Sequence, residues 1–593
     1  MTYEYKPIST SAGAIRVLVL QPAPHIDAPI EGYLEHITYT SFPYIAISYV
    51  WGSATKSHHL AIDGHSFGVG QNLYNVLRSV RDKSKPLSLW IDAICINQND
   101  MQERGQQVQD MALIYRNAEQ VVGWLGDKTP DFDAGFSLLK LLIENDSEAY
   151  LKDTAFETSW EALTSLLDRP YWTRVWILQE TAINTKVHLR FGINPNDELT
   201  VGDLEDFDNM RFEVVSKWRE LHPENEWEGS SMQRFDVVMN NVYNMGYLPK
   251  LCPLTADEFQ PLLQSHMCNG PLATNALDYV YGVLGLFDSA IVSVDYSISA
   301  RELYLKVLET VQHRAQQLDF LSWAWGGYAV DSTSAFGNPF GLPRWGMDFS
   351  YRTRFVRPIP LANASRPQRL IWDTFYRSSG DSRQILKFDM ANNLFVARGV
   401  EVAILDLIGT IANTKESFTI WPEDWSSIAG LGNLASPGKQ FDSRSDGQDL
   451  ALWSLSSEKV TFSQLNIWWR TLFGDTLSRE ARIDSSEEDK ASIPPKDRDG
   501  VENLCKHLTE YLQIQVHDGR RMFKTRHGRL GLAPPGAESG DVVCVLFGGD
   551  VPYVLRRMGM DNWLFVGECY LHDMMDGQAL SASGCETTFT IYG

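Results

Sequence analysis

The chain has 593 residues, of which 44% are hydrophobic and 21% are charged, and its formal net charge is −23. This length exceeds one ordinary core and predicts roughly two to four domains. The acidic balance argues against nucleic acid or an anionic membrane as the main partner. The seven cysteines are scattered and form no CxxC pair, which favours reduced thiols over a disulfide framework or a zinc site.

The sequence predicts a protein that stays in the cytoplasm. The N-terminal stretch MTYEYKPIST lacks a basic region followed by an apolar core, so we expect no secretory signal. No apolar run reaches the roughly 18 residues that a membrane helix needs. We therefore expect no membrane insertion.

Strand-like and helix-like segments alternate between about residue 44 and residue 185. The predicted strands are AIRVLVL (14–20), YIAISYVWG (44–52), the two halves of HLAIDGHSFGV (59–69), LSLWIDAICI (87–96) and QVVGWLG (120–126). The predicted helices are QNLYNVLRSVR (71–81), a segment capped by Asp100, stretches within 133–168, and a segment capped by Thr173. Asp63-Gly64 indicates a hairpin turn. This alternation favours an α/β fold with a mostly parallel sheet and helices on both faces.

The predicted secondary structure changes further along the chain. Residues 200–320 are mainly helical in pattern, which predicts a first domain over 1–320 with a helical extension. Beyond 321, short β-like runs appear at 394–411 and 540–556. They predict a mixed α+β domain over 321–593, with exposed loops at the polar stretches 435–449 and 484–500.

Three motifs are better explained by structure than by chemistry. GHSFG (64–68) has the spacing of a nucleophile elbow, but a short polar strand and a hairpin turn surround it. His58 and His59 are adjacent in a strand and point to opposite faces, so with His65 they predict no metal site. GLGNLASPGK (430–439) lacks the Walker spacing and is typical of a loop.

Asp92 interrupts a run that is otherwise predicted to be buried. A buried carboxylate must be paired, hydrogen-bonded or protonated, and ligands of open α/β sheets gather beyond the carboxyl ends of the strands. Asp92 therefore either binds a ligand or simply caps a turn or holds a backbone amide. The residues that share this predicted edge are Ser48, Tyr49, Trp51, Gly52, Asn97 and Gln98.

Glu180 lies in the run RVWILQE (174–180), four residues after Trp176 and on the same helical face. Both faces of this short helix carry apolar residues, so we expect it to be buried. A buried glutamate indicates either a poised functional carboxylate or a salt bridge, for which Arg169 and Arg174 are the nearby partners.

Four sequence blocks together resemble the heterokaryon incompatibility (HET) domain of filamentous fungi. These blocks are YIAISYVWG, LWIDAICINQNDMQERGQQVQDMALIYRNAEQVVGWLG, RPYWTRVWILQETAI and ALDYVYGVLGLFD (276–287). The first three cover about residues 40–185. The runs GDVVCVLFGGDVPYVLR and FVGECYLHDMMDG resemble the C-terminal region that often follows this domain. The resemblance implies a role in fungal non-self recognition, a form of innate immunity, and in programmed cell death.

The resemblance also implies distant kinship with TIR domains, and hence a TIR- or flavodoxin-like fold. TRVWILQE is similar to the TIR helix that carries the glutamate of NAD-cleaving members, although Ile177 replaces a cysteine. Glu180 is then the expected catalytic residue for hydrolysis of the nicotinamide–ribose bond. Trp51 or Tyr49 would stack on nicotinamide or adenine, and Asp92 or Asn97 would hold the ribose hydroxyls. Trp176 is expected to be a further ligand-binding residue. NAD would be a substrate, and no cofactor or metal is implied.

Two other functions fit the same residues. The chain would be a non-catalytic assembly module if its aromatic motifs form only core and interaction surface. It would be a metabolic enzyme if the fold was recruited for unrelated chemistry. We expect self-association, a protein partner from the incompatibility system or a small nucleotide ligand, and no nucleic acid.

Overall fold

The computed structural model describes most of the N-terminal half of the chain and the C-terminal 75 residues in nearly continuous form. It covers 3–144 without 10 and 54, 157–221 without 195, parts of 232–255, 272–324, 338–350, 376–412, 424–429, short pieces between 467 and 482, and 519–593 without 582–584. The predicted loops at 435–449 and 484–500, and the motif at 430–439, lie outside the described residues.

The chain forms two compact units, one of residues 1–259 and 265–299, and one of residues 260–264 and 300–593. The sequence-based bounds of 1–320 and 321–593 stay a prediction. None of the helices in the described part of the chain combines the length and the apolar character that a membrane crossing requires.

The first unit alternates strands and helices from its first strand onward. Its strands are β1 (Ala14–Leu20), β2 (Glu31–Thr38), β3 (Ile45–Tyr49), β4 (His58–Ile62), β5 (His65–Val69), β6 (Leu87–Trp90), β7 (Gln120–Trp124), β8 (Val187–Arg190) and β9 (Glu198–Thr200). Its helices are α1 (Gln71–Val80), α2 (Asp92–Cys95), α3 (Met101–Asn117), α4 (Phe132–Ile143), α5 (Glu157–Leu167), α6 (Ile177–Ala182), α7 (Val201–Leu221) and α8 (Asp278–Tyr281). Short 3₁₀ turns span Pro170–Thr173 and Leu284–Leu286.

The nine strands described in this unit form one sheet in the order β5-β4-β2-β1-β6-β3-β7-β8-β9. The central strands β6, β3, β7 and β8 are parallel to one another. The flanking pairs β1–β2, β1–β6, β4–β5 and β8–β9 are antiparallel. The pair β2–β4 is also parallel, so four of the eight pairings described here are parallel. The α/β class is confirmed, whereas the mostly parallel, TIR- or flavodoxin-like sheet is not confirmed.

Part of the mixed character of the sheet follows from connections that are too short for a parallel crossover. Asp63 and Gly64 both have positive φ, of 51° and 76°, and join β4 to β5 as the predicted two-residue hairpin. Short links of this kind can join only antiparallel strands, whereas parallel strands need a crossover of a dozen or more residues. The alternation of strands and helices in a sequence does not reveal the direction in which strands pair. The antiparallel pairs could therefore not be predicted from it.

Helices cover both faces of this sheet, as the sequence predicts. On one face, Ile47 and Tyr49 of β3 pack in a core with Val76 and Leu77 of α1. On the other face, Ala46 packs in a second core with residues of α3, α4 and α5. Because strand side chains alternate between faces, Ser48 points to the same side as Ala46 and away from Tyr49.

Two local predictions differ from the structure. The run 87–96 was expected to be a single strand, but β6 ends at Trp90 and the chain turns into α2 at Asp92. Thr173 was expected to cap the next helix, but it ends the 3₁₀ turn that Pro170 begins, and α6 starts later, after Trp176. Asp100 caps α3 as expected, accepting from the backbone N–H groups of Gln102 and Glu103.

The second unit contains a β-barrel-like arrangement. Its helices are α9 (Ala300–Ala315), α10 (Asp424–Ile428) and α11 (Gln578–Ser581), and a 3₁₀ turn spans Asp319–Trp323. Its strands are β10 (Lys387–Asp389), β11 (Leu394–Ile411), β12 (Thr476–Ser478), β13 (Ala481–Arg482), β14 (Arg521–Thr525), β15 (Leu530–Ala533), β16 (Val542–Leu546), β17 (Tyr553–Arg557), β18 (Asn562–Glu568), β19 (Tyr570–Leu571) and β20 (Thr587–Tyr592).

The long strand β11 organises this second unit. Its first half pairs with β20 and β16, and its last residues pair with β14. Strand β16 pairs with β17, β17 with β18, and β18 with β20. Because β11 pairs with both β16 and β20, these five strands close into a ring. The predicted β character of 394–411 and 540–556 is therefore confirmed.

A buried ion pair ties β1 to α3 in the first unit. Arg16 is fully buried, and its guanidinium donates to both carboxylate oxygens of Glu103, at 2.7 and 2.9 Å. It also donates to the carbonyl of Cys95 at 3.1 Å and lies 4.9 Å from the ring centroid of Tyr5. In the sequence, this charged residue lies within the otherwise apolar run AIRVLVL.

We predict that Arg16→Leu lowers the free energy of unfolding by about 3–5 kcal/mol, because it leaves Glu103 without its buried partner. Urea denaturation measures this loss. Arg78→Leu is the control, since it breaks an ion pair with the largely exposed Asp27 and should cost about 1 kcal/mol or less. Equal losses in the two variants would contradict the assigned role of Arg16.

Candidate functional site

The candidate site lies where β3 and its neighbours end. Ser48 and Tyr49 pair with Gly123 and Trp124 of β7 across the parallel ladder. Asp92 follows the end of β6, on the other side of β3. The segment from Pro170 to Ala182 supplies the remaining side chains of the site.

Glu180 is buried in this site and is held by a serine. Its side chain lies in α6, in which every residue is buried, and its own exposed fraction is 2%. The hydroxyl of Ser48 donates a short hydrogen bond to Glu180 Oε2. Among the contacts of the described residues, none is a hydrogen bond to Oε1. One carboxylate oxygen is thus restrained, while the other receives no hydrogen bond from the described residues.

Tyr171 extends this contact to a chain of three side chains. Its hydroxyl lies 2.9 Å from Ser48 Oγ, and both residues are buried. Gly123 makes this approach possible, because a Cβ at that position would lie 2.5 Å from the Tyr171 hydroxyl oxygen. The absence of a side chain on β7 therefore opens the space that Tyr171 fills.

Arg174 brings a positive charge to the same region without forming an ion pair with Glu180 in the described contacts. Its guanidinium donates to the backbone carbonyl of Tyr49. Burial disfavours its charge, but the nearby carboxylates of Glu180 and Asp92 more than offset this and raise the pKa of Arg174 above its usual value. Arg169, the other arginine considered from the sequence, donates instead to the carbonyl of Leu125 at 2.9 Å.

Burial raises the pKa of Glu180 to about 7. The positive charge of Arg174 and the hydrogen bond from Ser48 oppose this rise, and the negative charge of Asp92 adds to it. A carboxyl group that titrates near neutral pH can both accept and release a proton under physiological conditions. Such shifted groups cluster at functional sites, although buried structural networks produce them as well.

Asp92 and Trp51 form the outer part of the site. The indole N–H of Trp51 donates to Asp92 Oδ2 at 2.8 Å, and the backbone N–H of Ala93 donates to Oδ1 at 2.7 Å. Burial raises the pKa of Asp92, while Arg174 and these donors oppose the rise. Trp51 is 46% exposed and Asp92 is half-buried, so this pair is more accessible to solvent than Glu180.

The structure separates several residues that the sequence groups together. Tyr49 is buried on the opposite face of the sheet from Ser48, against α1. Asn97 uses its backbone N–H to donate to Glu103, and Gln98 donates from its side chain to the Asp92 carbonyl. Gly52 is exposed and has a φ of 71°. The expected ligand-binding roles of these residues stay predictions.

Trp176 contacts a carboxylate that the sequence did not single out. Its indole N–H lies 3.4 Å from Asp278 Oδ2, and the hydroxyl of Tyr296 donates to Asp278 Oδ1 at 2.9 Å. Arg104 of α3 stacks over the Tyr296 ring, with its guanidinium carbon 3.7 Å from the ring centroid. Burial raises the pKa of Asp278, and its hydrogen bonds oppose this.

Sequence reasoning thus missed Tyr171, Gly123 and Asp278. Tyr171 and Asp278 lie within the quoted blocks RPYWTRVWILQETAI and ALDYVYGVLGLFD, and Gly123 within QVVGWLG. Each lies inside a recognised motif, so the motifs marked the segments correctly. Nothing in the spacing of these residues indicates that Tyr171 reaches Ser48, 123 positions away.

The serine of GHSFG is part of a hairpin, in agreement with the sequence-based interpretation. Ser66 lies in β5, and its hydroxyl is 3.1 Å from His59 Nδ1. His58 stacks on Tyr74 with a centroid distance of 4.2 Å and bonds Gln71. These side chains serve contacts within the hairpin and α1.

The structure is that of an α/β protein with a buried glutamate at the ends of parallel strands, and the pKa of this glutamate is raised to about 7. A β-barrel-like unit follows along the chain. Residues 44–180 match the family model for heterokaryon incompatibility protein (HET), and residues 475–590 match the model for the Het-6 β-barrel domain. The chain is a HET-domain protein. Strand β11, which closes the barrel, lies before the second match.

A known relative extends over the same length. The chain is 23% identical to heterokaryon incompatibility protein 6, OR allele, of Neurospora crassa, in an alignment of 677 residues that covers 100% of this chain and 98% of the relative. No solved structure matches the chain. The match to the relative includes both family segments, so their order along the chain is shared.

We predict that Glu180→Gln removes a pH-dependent loss of stability. Because the pKa of Glu180 is raised to about 7 on folding, the folded state binds more protons than the unfolded state between about pH 4.5 and 7. Stability therefore falls as pH rises through this window, by about 3 kcal/mol for a fully buried group. Urea denaturation at pH 5 and pH 8 measures the difference.

Glu119→Gln, which changes an exposed carboxylate of the same unit, is the control for removing one negative charge. Glu180→Gln should gain clearly more stability relative to the wild type at pH 8 than at pH 5, because most of the loss in the wild type occurs between these two pH values. A gain that is the same at both pH values would contradict the raised pKa.

We also predict that Gly123→Ala lowers the free energy of unfolding, by about 1–3 kcal/mol, because the new methyl group overlaps the Tyr171 hydroxyl and Leu189. Gly105→Ala in α3 is the control, since its Cβ would have ordinary contact distances and alanine favours a helix. Thermal unfolding compares the two. A Gly123→Ala protein as stable as the control would contradict the close approach.

Proposed function

We propose that this protein acts in fungal non-self recognition leading to programmed cell death, and that its HET domain hydrolyses the nicotinamide–ribose bond of NAD. The observation that carries the proposal is Glu180, which is enclosed at the carboxyl end of β3. Its pKa is raised to about 7, and one of its oxygens has no donor among the described residues. The family and the Neurospora relative support the biological role.

Hydrolysis of the nicotinamide–ribose bond requires a carboxylate beside the ribose and a water molecule. As the bond between ribose C1 and the pyridinium nitrogen breaks, its electron pair moves to the nitrogen and nicotinamide leaves as a neutral molecule. Positive charge develops on the ribose, which a nearby carboxylate stabilises. Water then bonds to C1 and gives a proton to Glu180, so that ADP-ribose, nicotinamide and one proton are the products.

The strand order supports a binding site at this position. The parallel strands occur along the chain as β3, β6, β7, β8, and in the sheet as β6-β3-β7-β8. Numbered by their order in the chain, these four central strands are arranged 2-1-3-4. This order is similar to that of flavodoxin-like sheets, whose ligands bind where the order reverses, between the first and third strands. Ser48 on β3 and Gly123 on β7 are paired at this point.

The outer residues suit a nucleotide. Trp51 presents an exposed indole that would stack on a base, and Asp92 beside it would accept hydrogen bonds from ribose hydroxyls. Trp176, held by Asp278, is half-buried on the Glu180 side. These assignments agree with the TIR-like resemblance of TRVWILQE. No cofactor or metal enters this chemistry.

A non-catalytic assembly module is the second candidate, and the 2% exposure of Glu180 favours it. In that case the carboxylate is only part of a buried polar network, and self-association with a partner protein causes the response. The catalytic proposal instead requires that NAD binding, or association of two protomers, open the region between Trp51 and Glu180.

The test is release of nicotinamide from NAD by the purified full-length chain at high protein concentration. We expect Glu180→Gln to lower kcat about a hundredfold or more, as for loss of a general base. In the wild type, kcat/KM should rise with pH through about 7, because Glu180 must be ionised to accept a proton.

Glu119→Gln is again the control and should retain wild-type turnover. If even oligomers forced by fusion to a coiled coil release no nicotinamide, the hydrolase proposal is wrong and the assembly module stands. If turnover occurs but Glu180→Gln leaves it unchanged, another residue is catalytic.

A further inference from the structure

We propose that Ser48 and Tyr171 are positioning residues that hold Glu180 by Oε2 and leave Oε1 as the oxygen that takes the proton from the attacking water. This inference rests on the proposed function and extends it to residues that neither the family resemblance nor the sequence assigned to this role. It also predicts how Ser48 and Tyr171 affect the titration of Glu180 in the folded protein, which can be measured without enzymatic turnover.

The hydrogen-bond directions follow from the number of protons available. Ser48 has one hydroxyl proton, and it is directed at Glu180 Oε2. The proton between Ser48 and Tyr171 must therefore come from Tyr171, whose oxygen lies 2.9 Å from Ser48 Oγ. Ionised Glu180 thus sits at the end of a chain in which Tyr171 donates to Ser48 and Ser48 donates to Glu180.

A chain of this kind serves both protonation states of a buried carboxyl group. A hydroxyl both donates and accepts, so Ser48 can turn its proton toward Tyr171 when Glu180 is protonated. Donation by Tyr171 also polarises Ser48 and strengthens its bond to the carboxylate. The pair therefore restrains the side chain in both protonation states, and its hydrogen bond to the ionised form is the stronger of the two.

Because Ser48 holds Glu180 by Oε2, Oε1 is the oxygen left for a ligand. Glu180 is almost wholly buried, yet no hydrogen bond in the described contacts reaches Oε1. A carboxylate oxygen that the described residues do not hydrogen-bond is open to a water molecule or a substrate hydroxyl, which can donate to it. Since Ser48 already donates to Oε2, Oε1 is the oxygen with both lone pairs left open by the described contacts, and an incoming water is expected to approach there.

The charged and titratable groups that act on Glu180 come from every neighbouring element. Arg174 stabilises its ionised form, and Asp92 after β6 opposes it. Tyr171 beside α6, Tyr115 of α3 and Tyr49 of β3 are buried, and their raised pKa values keep them neutral. Ser48 and Tyr171 are the neighbours linked to Glu180 by hydrogen bonds in the described contacts.

Tyr171→Phe and Ser48→Ala test the proposal through the titration of Glu180. The readout is the pH at which stability changes, obtained by comparing each variant with the same variant carrying Glu180→Gln. Loss of the Ser48 donor removes a bond to the charged form, so the midpoint should rise by about one pH unit. Tyr171→Phe should shift it in the same direction by less.

Tyr44→Phe is the matched control. Tyr44 is a buried tyrosine of the same core, and its hydroxyl donates to the Ile114 carbonyl at 2.6 Å. Its loss should lower stability without moving the midpoint. Tyr171→Phe removes one oxygen and no carbon atom, so it remains informative if Ser48→Ala folds poorly, and Ser48→Thr restores a hydroxyl at that position.

With turnover established, Ser48→Ala and Tyr171→Phe should lower kcat, by about tenfold for Ser48→Ala, with little change in KM. The acidic limb of the pH–rate profile should move upward with the stability midpoint. Unchanged midpoints, or equal shifts in Tyr44→Phe, would overturn the positioning role. Shifted midpoints in a protein that releases no nicotinamide would uphold the hold on Oε2 and overturn the role of Oε1 along with the hydrolase proposal.

Discussion

The first unit depends on keeping a carboxylate away from water at the end of β3. An ionised group in such a place is stable only if donors and opposite charge replace its hydration. Ser48 supplies one donor to Glu180 and Arg174 supplies positive charge nearby, yet the pKa of Glu180 is still raised to about 7. The compensation is therefore incomplete. This leaves a carboxyl group that changes charge near neutral pH.

Close packing of backbone segments makes this enclosure possible, and glycines mark where it occurs. A Cβ on Gly123 would overlap Tyr171, and one on Gly285 would lie 2.4 Å from the Cβ of Ala112 and 2.7 Å from Gln179 Oε1. The N–H of Gly285 donates to that same oxygen at 3.2 Å. The block at 276–287 thus packs directly against α3 and α6. Its role is to complete the walls around the helix that carries Glu180.

Trp51 and Trp176 have similar arrangements at two places in the site. Each donates an indole N–H to a half-buried aspartate, Asp92 in one case and Asp278 in the other. Such a bond fixes the plane of the ring, which favours stacking on a flat ligand. Trp51 is exposed and Trp176 is only half-buried, so both rings keep surface that a ligand or a second protein molecule can cover.

The sequence by itself determined the local elements and the segments that matter. The hairpin at Asp63-Gly64, helix α1, the buried strands and the burial of Glu180 all follow from periodicity, turn chemistry and apolar patterning, which are properties of neighbouring residues. Only the tertiary structure decided strand direction, which of the two cores Ser48 and Tyr49 each face, and the meeting of Ser48, Tyr171 and Glu180. These contacts join residues up to 132 positions apart, and packing of whole elements selects such partners, which no local pattern encodes.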